Sequence, residues 1–104
     1  MWTRSYDIVM HTTIGDRYGN MMVTVDEDEE TLSGELAILA DRTSFYGHIA
    51  PDGRCHFHGE LVTLLRVLAF VAYGIVTPQS LSLRLSATGE TYQLEGTALA
   101  REEA

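Results

Sequence analysis

Three histidines and one cysteine lie close together in the middle of the chain, in the segment Tyr46-Gly47-His48-Ile49-Ala50-Pro51-Asp52-Gly53-Arg54-Cys55-His56-Phe57-His58. Pro51-Asp52-Gly53 suits a type I turn followed by a left-handed Gly53, the loop of a three-residue β-hairpin. That loop sets Ala50 opposite Arg54, Ile49 opposite Cys55, His48 opposite His56 and Tyr46 opposite His58. His56 and His58, two apart on one strand, then point to the same side. Directly opposed Cβ atoms lie ~4.5–5.5 Å apart, so His48, His56 and His58 share one patch. Three imidazoles so placed could ligate zinc and leave a coordination position open. Glu60 continues the same face as a carboxylate that could orient one ring. A two-residue loop would shift the register and part His48 from His56. The plainer reading is a solvated hairpin face, and beyond this candidate zinc site no cofactor is expected.

Cys55 falls on the opposite parity, beside Ile49 and Phe57, with all three imidazoles turned away from it. An apolar setting makes a thiol inert, so it reads as a core residue. Being the only cysteine, it excludes an internal disulfide or a multi-cysteine zinc or redox motif. The run Asp26-Glu27-Asp28-Glu29-Glu30 lacks the spaced oxygens and inner glycine of an EF-hand loop. It reads as a solvated turn that discourages edge pairing. No Gly-x-Ser-x-Gly elbow, phosphate-binding loop or His-Glu-x-x-His element is present.

The elements that must position these groups show in a repeat of apolar, any, Gly, any, apolar. It occurs at Leu32–Leu36, Phe45–Ile49, Phe57–Leu61, Ala72–Val76 and Leu94–Ala98. Glycine and apolar members share one parity between mostly polar residues, the alternation of a half-buried strand. Inward glycine costs strand stability but permits close backbone approach and sharp coiling. The pattern therefore favours a tightly curved sheet or small barrel. Short loops are expected at Gly15–Asn20, Asp26–Glu30, Asp41–Ser44, Pro51–Gly53, Pro78-Gln79 and Thr88-Gly89. The result is an all-β, antiparallel meander of about eight strands closing into one up-and-down barrel domain over residues 1–104. Only Leu61 to Phe70 is ambiguous. It holds no turn residue, and Leu61, Leu64, Leu65 and Leu68 also fit a helical stripe. Strand-loop-strand is preferred there over a short helix.

This layout resembles the calycin-type barrels, the lipocalin and avidin-like group. The lipocalin Gly-x-Trp signature and the stacking tryptophans of avidin are missing, since the only Trp is Trp2. The resemblance implies a fold and an internal ligand cavity, and carries over no binding residue.

By parity the inward set is Tyr6, Ile8, Met10, Met21, Val23, Val25, Leu32, Leu36, Ile38, Phe45, Ile49, Cys55, Phe57, Leu61, Phe70, Ala72, Val76, Leu81, Leu83, Leu85, Tyr92, Leu94 and Ala98. If the inward glycines leave a void, Tyr6, Met10, Phe45, Phe57, Phe70 and Tyr92 are the candidates to line a cavity for a small apolar ligand. If aromatic neighbours fill it, the interior is simply packed. The outward set is polar except on the sixth strand, where Ala69, Val71, Tyr73 and Ile75 face solvent. Such a stripe usually marks an interaction surface, and Val71, Tyr73 and Ile75 are the candidate contacts of a homodimer.

The chain has 104 residues, 45% hydrophobic, with seven basic against fifteen acidic side chains and a net charge of −8. That balance argues against nucleic acid or an anionic membrane as partner, both of which need clustered Lys and Arg. The start lacks a basic head followed by an apolar run, and Leu61–Val76 is too short and interrupted to cross a bilayer as a helix. A cytoplasmic location is expected. Three functions fit: a non-enzymatic barrel holding a small apolar ligand, a self-associating accessory protein without ligand, or a metal-dependent enzyme built on His48, His56 and His58.

Overall fold

A computed structural model describes residues 1–38, 41–62 and 67–99. Eight antiparallel strands follow one another around a closed barrel: β1 (Trp2–Thr12), β2 (Gly15–Asp26), β3 (Thr31–Ile38), β4 (Asp41–Ile49), β5 (Arg54–Val62), β6 (Val67–Val76), β7 (Ser80–Ala87) and β8 (Glu90–Ala98). β8 closes on β1, with Tyr6 opposite Ala98 and His11 opposite Gln93. The meander expected from the alternation is the observed topology.

Alternation decides which face goes in, because burial of one face fixes register. Every described member of the predicted inward set is buried or, for Tyr92 and Ala98, packed half-buried against the core. Each buried side chain gains ~1.5–3 kcal/mol over leaving it exposed. Ala87 and the hydroxyl-bearing Thr43 join them. The side chain of Leu61 and residues 63–66, where strand and helix compete in the sequence, lie outside the described residues.

Two predicted loops are strand instead. Gly15–Asn20 opens β2, which leaves only Thr13-Ile14 to connect it to β1. Gly19 sits in the ladder opposite Ile8, and a Cβ there would run into the Ala37 carbonyl. Asp41–Ser44 opens β4 and pairs with β3, from Ile38 opposite Asp41 to Glu35 opposite Ser44. Glycine and polar residues in the first segment, and polar residues alone in the second, mimic a turn, while the neighbouring strand supplies the hydrogen bonds that keep them extended.

The turns that were legible have the expected conformations. Gly53 is left-handed, at φ 94°; its N–H donates to the Ala50 carbonyl, and the Ala50 N–H to that of Arg54. Thr88 and Gly89 both have positive φ, the pairing a two-residue hairpin of matching twist requires. In the acidic turn, the Asp26 carboxylate accepts from the N–H groups of Asp28 and Glu29. The barrel end holding the β2–β3, β4–β5 and β6–β7 turns is laced shut. The Ile49 N–H donates to Glu30, the Val76 N–H to Gly53, and the Tyr6 hydroxyl to the Thr77 carbonyl at 2.6 Å.

Candidate functional site

The Pro51–Gly53 loop fixes the register that the histidines need. His48 lies opposite His56 and Tyr46 opposite His58, and β6 extends both rows, placing Tyr73 beside His56 and Val71 beside His58. The outer wall of β4, β5 and β6 thus carries His48–His56–Tyr73 above Tyr46–His58–Val71, with Ile75 at the end beside Arg54. Their rings meet: His48 and His56 are 5.6 Å apart between centroids, and Tyr46 stands edge-on to His48 at 5.9 Å. Val71, Tyr73 and Ile75 are 56%, 52% and 48% exposed, so the apolar stripe read from the sequence is on the surface. A groove of about 420 Å³ lies among Tyr46, His48, His56, His58, Val71 and Tyr73.

Among the described residues, no three His, Cys, Asp or Glu side chains are grouped to hold a metal ion. The hairpin presents a facing imidazole pair, with His58 two residues further along beside Tyr46 and Val71. Cys55 is buried on the other side of the wall, 7% exposed, and burial pushes its thiol up to about 11. A thiol so placed is protonated at neutral pH and is no nucleophile.

Charge is distributed unevenly around the wall. Among the described residues, β4, β5, β6 and β7 turn only one acidic side chain outward, Glu60, together with Arg42, Arg54 and Arg84. The acidic turn Asp28–Glu30 lies beside His48, His56 and Arg54, and Asp7, Asp16, Glu35, Glu90 and Glu95 project with Arg4 and Arg17 from β1, β2, β3 and β8. On the β1–β2 side, His11 Nδ1 donates to the Asp16 carboxylate at 2.8 Å, and its Nε2 lies 3.6 Å from Glu95. Because the Asp16 carboxylate can only accept, His11 Nδ1–H is the donor, and this hydrogen bond is the main reason its imidazole binds a proton more tightly than usual.

Of the six interior candidates, Phe45, Phe57 and Phe70 form one cluster. The first two rings are 4.5 Å apart, and Phe70 meets Phe57 edge-on at 6.3 Å. These rings lie over the inward glycines: a Cβ on Gly34 would come within 3.0 Å of the Phe45 ring, and one on Gly59 within 3.0 Å of Phe70. Aromatic neighbours occupy the space that glycine vacates here, as they do over glycines in designed sheets. Tyr6 and Met10 are buried on β1, and Tyr92 on β8 packs half-buried with its hydroxyl donating to Glu90 at 2.7 Å.

One feature of the wall had no signal in the hydrophobic pattern. The β4–β5 ladder runs from Ile49–Cys55 only as far as Phe45–Gly59. Beyond that pair, β4 stays bonded to β3 as far as Asp41, and β5 to β6 as far as Val62. The two strands therefore part along a seam. Thr43, one of the residues at the seam, is buried with no hydrogen-bond partner for its Oγ1. It shares parity with Phe45, the one hint of inwardness the sequence offers for it.

No known protein family, curated protein or solved structure matches the chain. Among the described residues, no helix is long and apolar enough to cross a membrane.

Proposed function

We propose that this chain is a non-enzymatic accessory barrel that works as a homodimer, joined through the outer wall of β4–β6. The observation that carries the reading is the exposed row Val71, Tyr73 and Ile75, flanked by Tyr46 and the facing imidazoles of His48 and His56. Exposed apolar area of this kind gains from being covered. Electrostatics points to the same wall. Two copies of a chain with net charge −8 repel one another, and they do so less on strands that turn few carboxylates outward, as β4–β6 do away from the acidic turn Asp28–Glu30 beside His48 and His56. An isologous contact lets each residue row meet its own copy across a two-fold axis.

Sedimentation velocity tests the proposal. A dimer is expected at micromolar concentration, and the Val71→Lys, Ile75→Lys double variant should sediment as a monomer with an unchanged β-sheet circular dichroism spectrum. A wild-type protein that remains monomeric at high micromolar concentration would overturn it.

A further inference from the structure

One copy of the barrel offers half of a tetrahedral metal site. His48 and His56 stand exposed and directly opposite each other on β4 and β5, with 5.6 Å between ring centroids. Two imidazoles on one zinc ion, at Zn–N ~2.0–2.1 Å and the tetrahedral angle, have centroids about 5.2 Å apart. Closing the clamp takes only a small rotation of two exposed rings. Tyr46 stands edge-on to His48 at 5.9 Å and Tyr73 flanks His56, so aromatic neighbours confine both. Structural zinc takes four ligands, yet among the described residues no third His, Cys, Asp or Glu completes the set within one copy. The surroundings suit a cation. Asp28, Glu29 and Glu30 line a depression together with both imidazoles, and the Glu30 carbonyl is fixed beside them by the Ile49 N–H at 3.0 Å. Arg54, which also lines it, is paired with Asp52 at 3.1 Å. Two chains of net charge −8 joined through the β4–β6 wall bring these acidic turns toward the contact, and a divalent ion between them offsets that repulsion.

We infer that a divalent transition-metal ion of the zinc class bridges two copies of this chain, held on the two-fold axis by His48 and His56 of each. Such a bridge presupposes the dimer proposed above, and strengthens it. Symmetry carries the count. Ligands at an isologous contact come in identical pairs, and a tetrahedron has a two-fold axis that exchanges one pair of its corners for the other. A two-imidazole clamp from each copy therefore fills all four positions with no other residue. The clamp lies in the row His48–His56–Tyr73, so an axis beside it brings Val71 and Ile75, on either side of Tyr73 along β6, into the same contact. Imidazole nitrogen selects zinc and its transition-metal neighbours over calcium and magnesium, which take oxygen ligands.

The test is sedimentation velocity on EDTA-treated protein, with and without added zinc. Zinc should lower the dimer dissociation constant by about tenfold or more, because it binds the dimer in preference to the monomer. Calcium should not. His48→Gln and His56→Gln should each abolish the zinc effect while leaving the metal-free dimer within about threefold of wild type. His58→Gln and His11→Gln should keep the zinc effect. Cobalt in place of zinc should give the intense visible bands of a tetrahedral ion, saturating at one ion per two chains. An equal dissociation constant in zinc and in EDTA would overturn the bridge and leave the dimer standing. A monomer under both conditions at high micromolar concentration would overturn the dimer as well. Saturation at one ion per chain, or a zinc effect that survives His56→Gln, would overturn the shared site.

Discussion

Tyr6 shows what a single buried polar atom contributes. Its ring is 0% exposed, and its hydroxyl crosses the barrel end to the Thr77 carbonyl. Burial pushes its ionisation up to about 12, against an ordinary value near ~10. The folded state thus favours the neutral phenol. Its contribution to stability is intact below pH ~10 and is lost as pH rises through the interval up to about 12. Tyr6→Phe should cost about 1–3 kcal/mol at neutral pH by leaving a carbonyl without its donor, and should flatten the alkaline loss of stability. Urea unfolding at pH 7 and pH 11 checks both. His11 has the opposite chemistry and the same sign. Its charged form is favoured by Asp16 and then by Glu95, so the stabilisation is present in acid and disappears as pH rises through the elevated folded value. Because the pair is exposed, the effect on stability is small and screened by salt. Two-dimensional NMR should place the His11 midpoint above ~6.5, and Asp16→Asn should bring it back toward that figure. None of this is legible in the sequence, where Tyr6 is one inward aromatic among several and His11 has no visible partner. Both depend on which residue a neighbouring strand brings alongside.

At the scale of the element, the β4–β5 hairpin sets the register of the outer wall. Gly47 lies opposite Phe57 within it, and a Cβ at that position would collide with the His56 carbonyl and with the Cα and Cβ of Phe57. Gly47→Ala should therefore destabilise the barrel by roughly 3 kcal/mol, the upper end of overpacking costs. Denaturant midpoints for the variant and the wild type would measure it. The hairpin was legible because its turn residues and its alternation agree: Pro51-Asp52-Gly53 sets the loop, and the loop sets His48 against His56. The strand starts at Gly15 and Asp41 were not legible, because glycine and polar residues spell turn locally and only the adjoining ladder overrules them. The seam was hidden for a further reason. Period-two patterning reports which way a side chain faces, but not whether the backbone beside it is paired. Thr43 fell in a segment read as loop, so its burial and its unsatisfied hydroxyl became visible only with the neighbouring strands in place.

For the whole molecule, the governing fact is the mismatch between the two sides of the wall. One side spreads carboxylates over β1, β2, β3 and β8, while the other presents Tyr46, Val71, Tyr73 and Ile75 with the histidines and three arginines. Apart from the β4–β5 seam the described ladder is continuous around the barrel, which leaves little sheet edge for pairing. Among the described residues, the outer face of β4–β6 combines exposed apolar area with few carboxylates on its own strands. The closed barrel itself follows from the alternation and the inward glycines, whereas the self-association rests on how the rows align across β4, β5 and β6. The most direct test is an isotope-filtered NMR experiment on an equal mixture of labelled and unlabelled protein, which detects contacts only between copies. The account predicts intermolecular contacts from the Val71 and Ile75 methyl groups to the Tyr73 and Tyr46 rings. Intermolecular contacts centred instead on the acidic side, for example at Tyr18 of β2, or none at all at millimolar concentration, would contradict it.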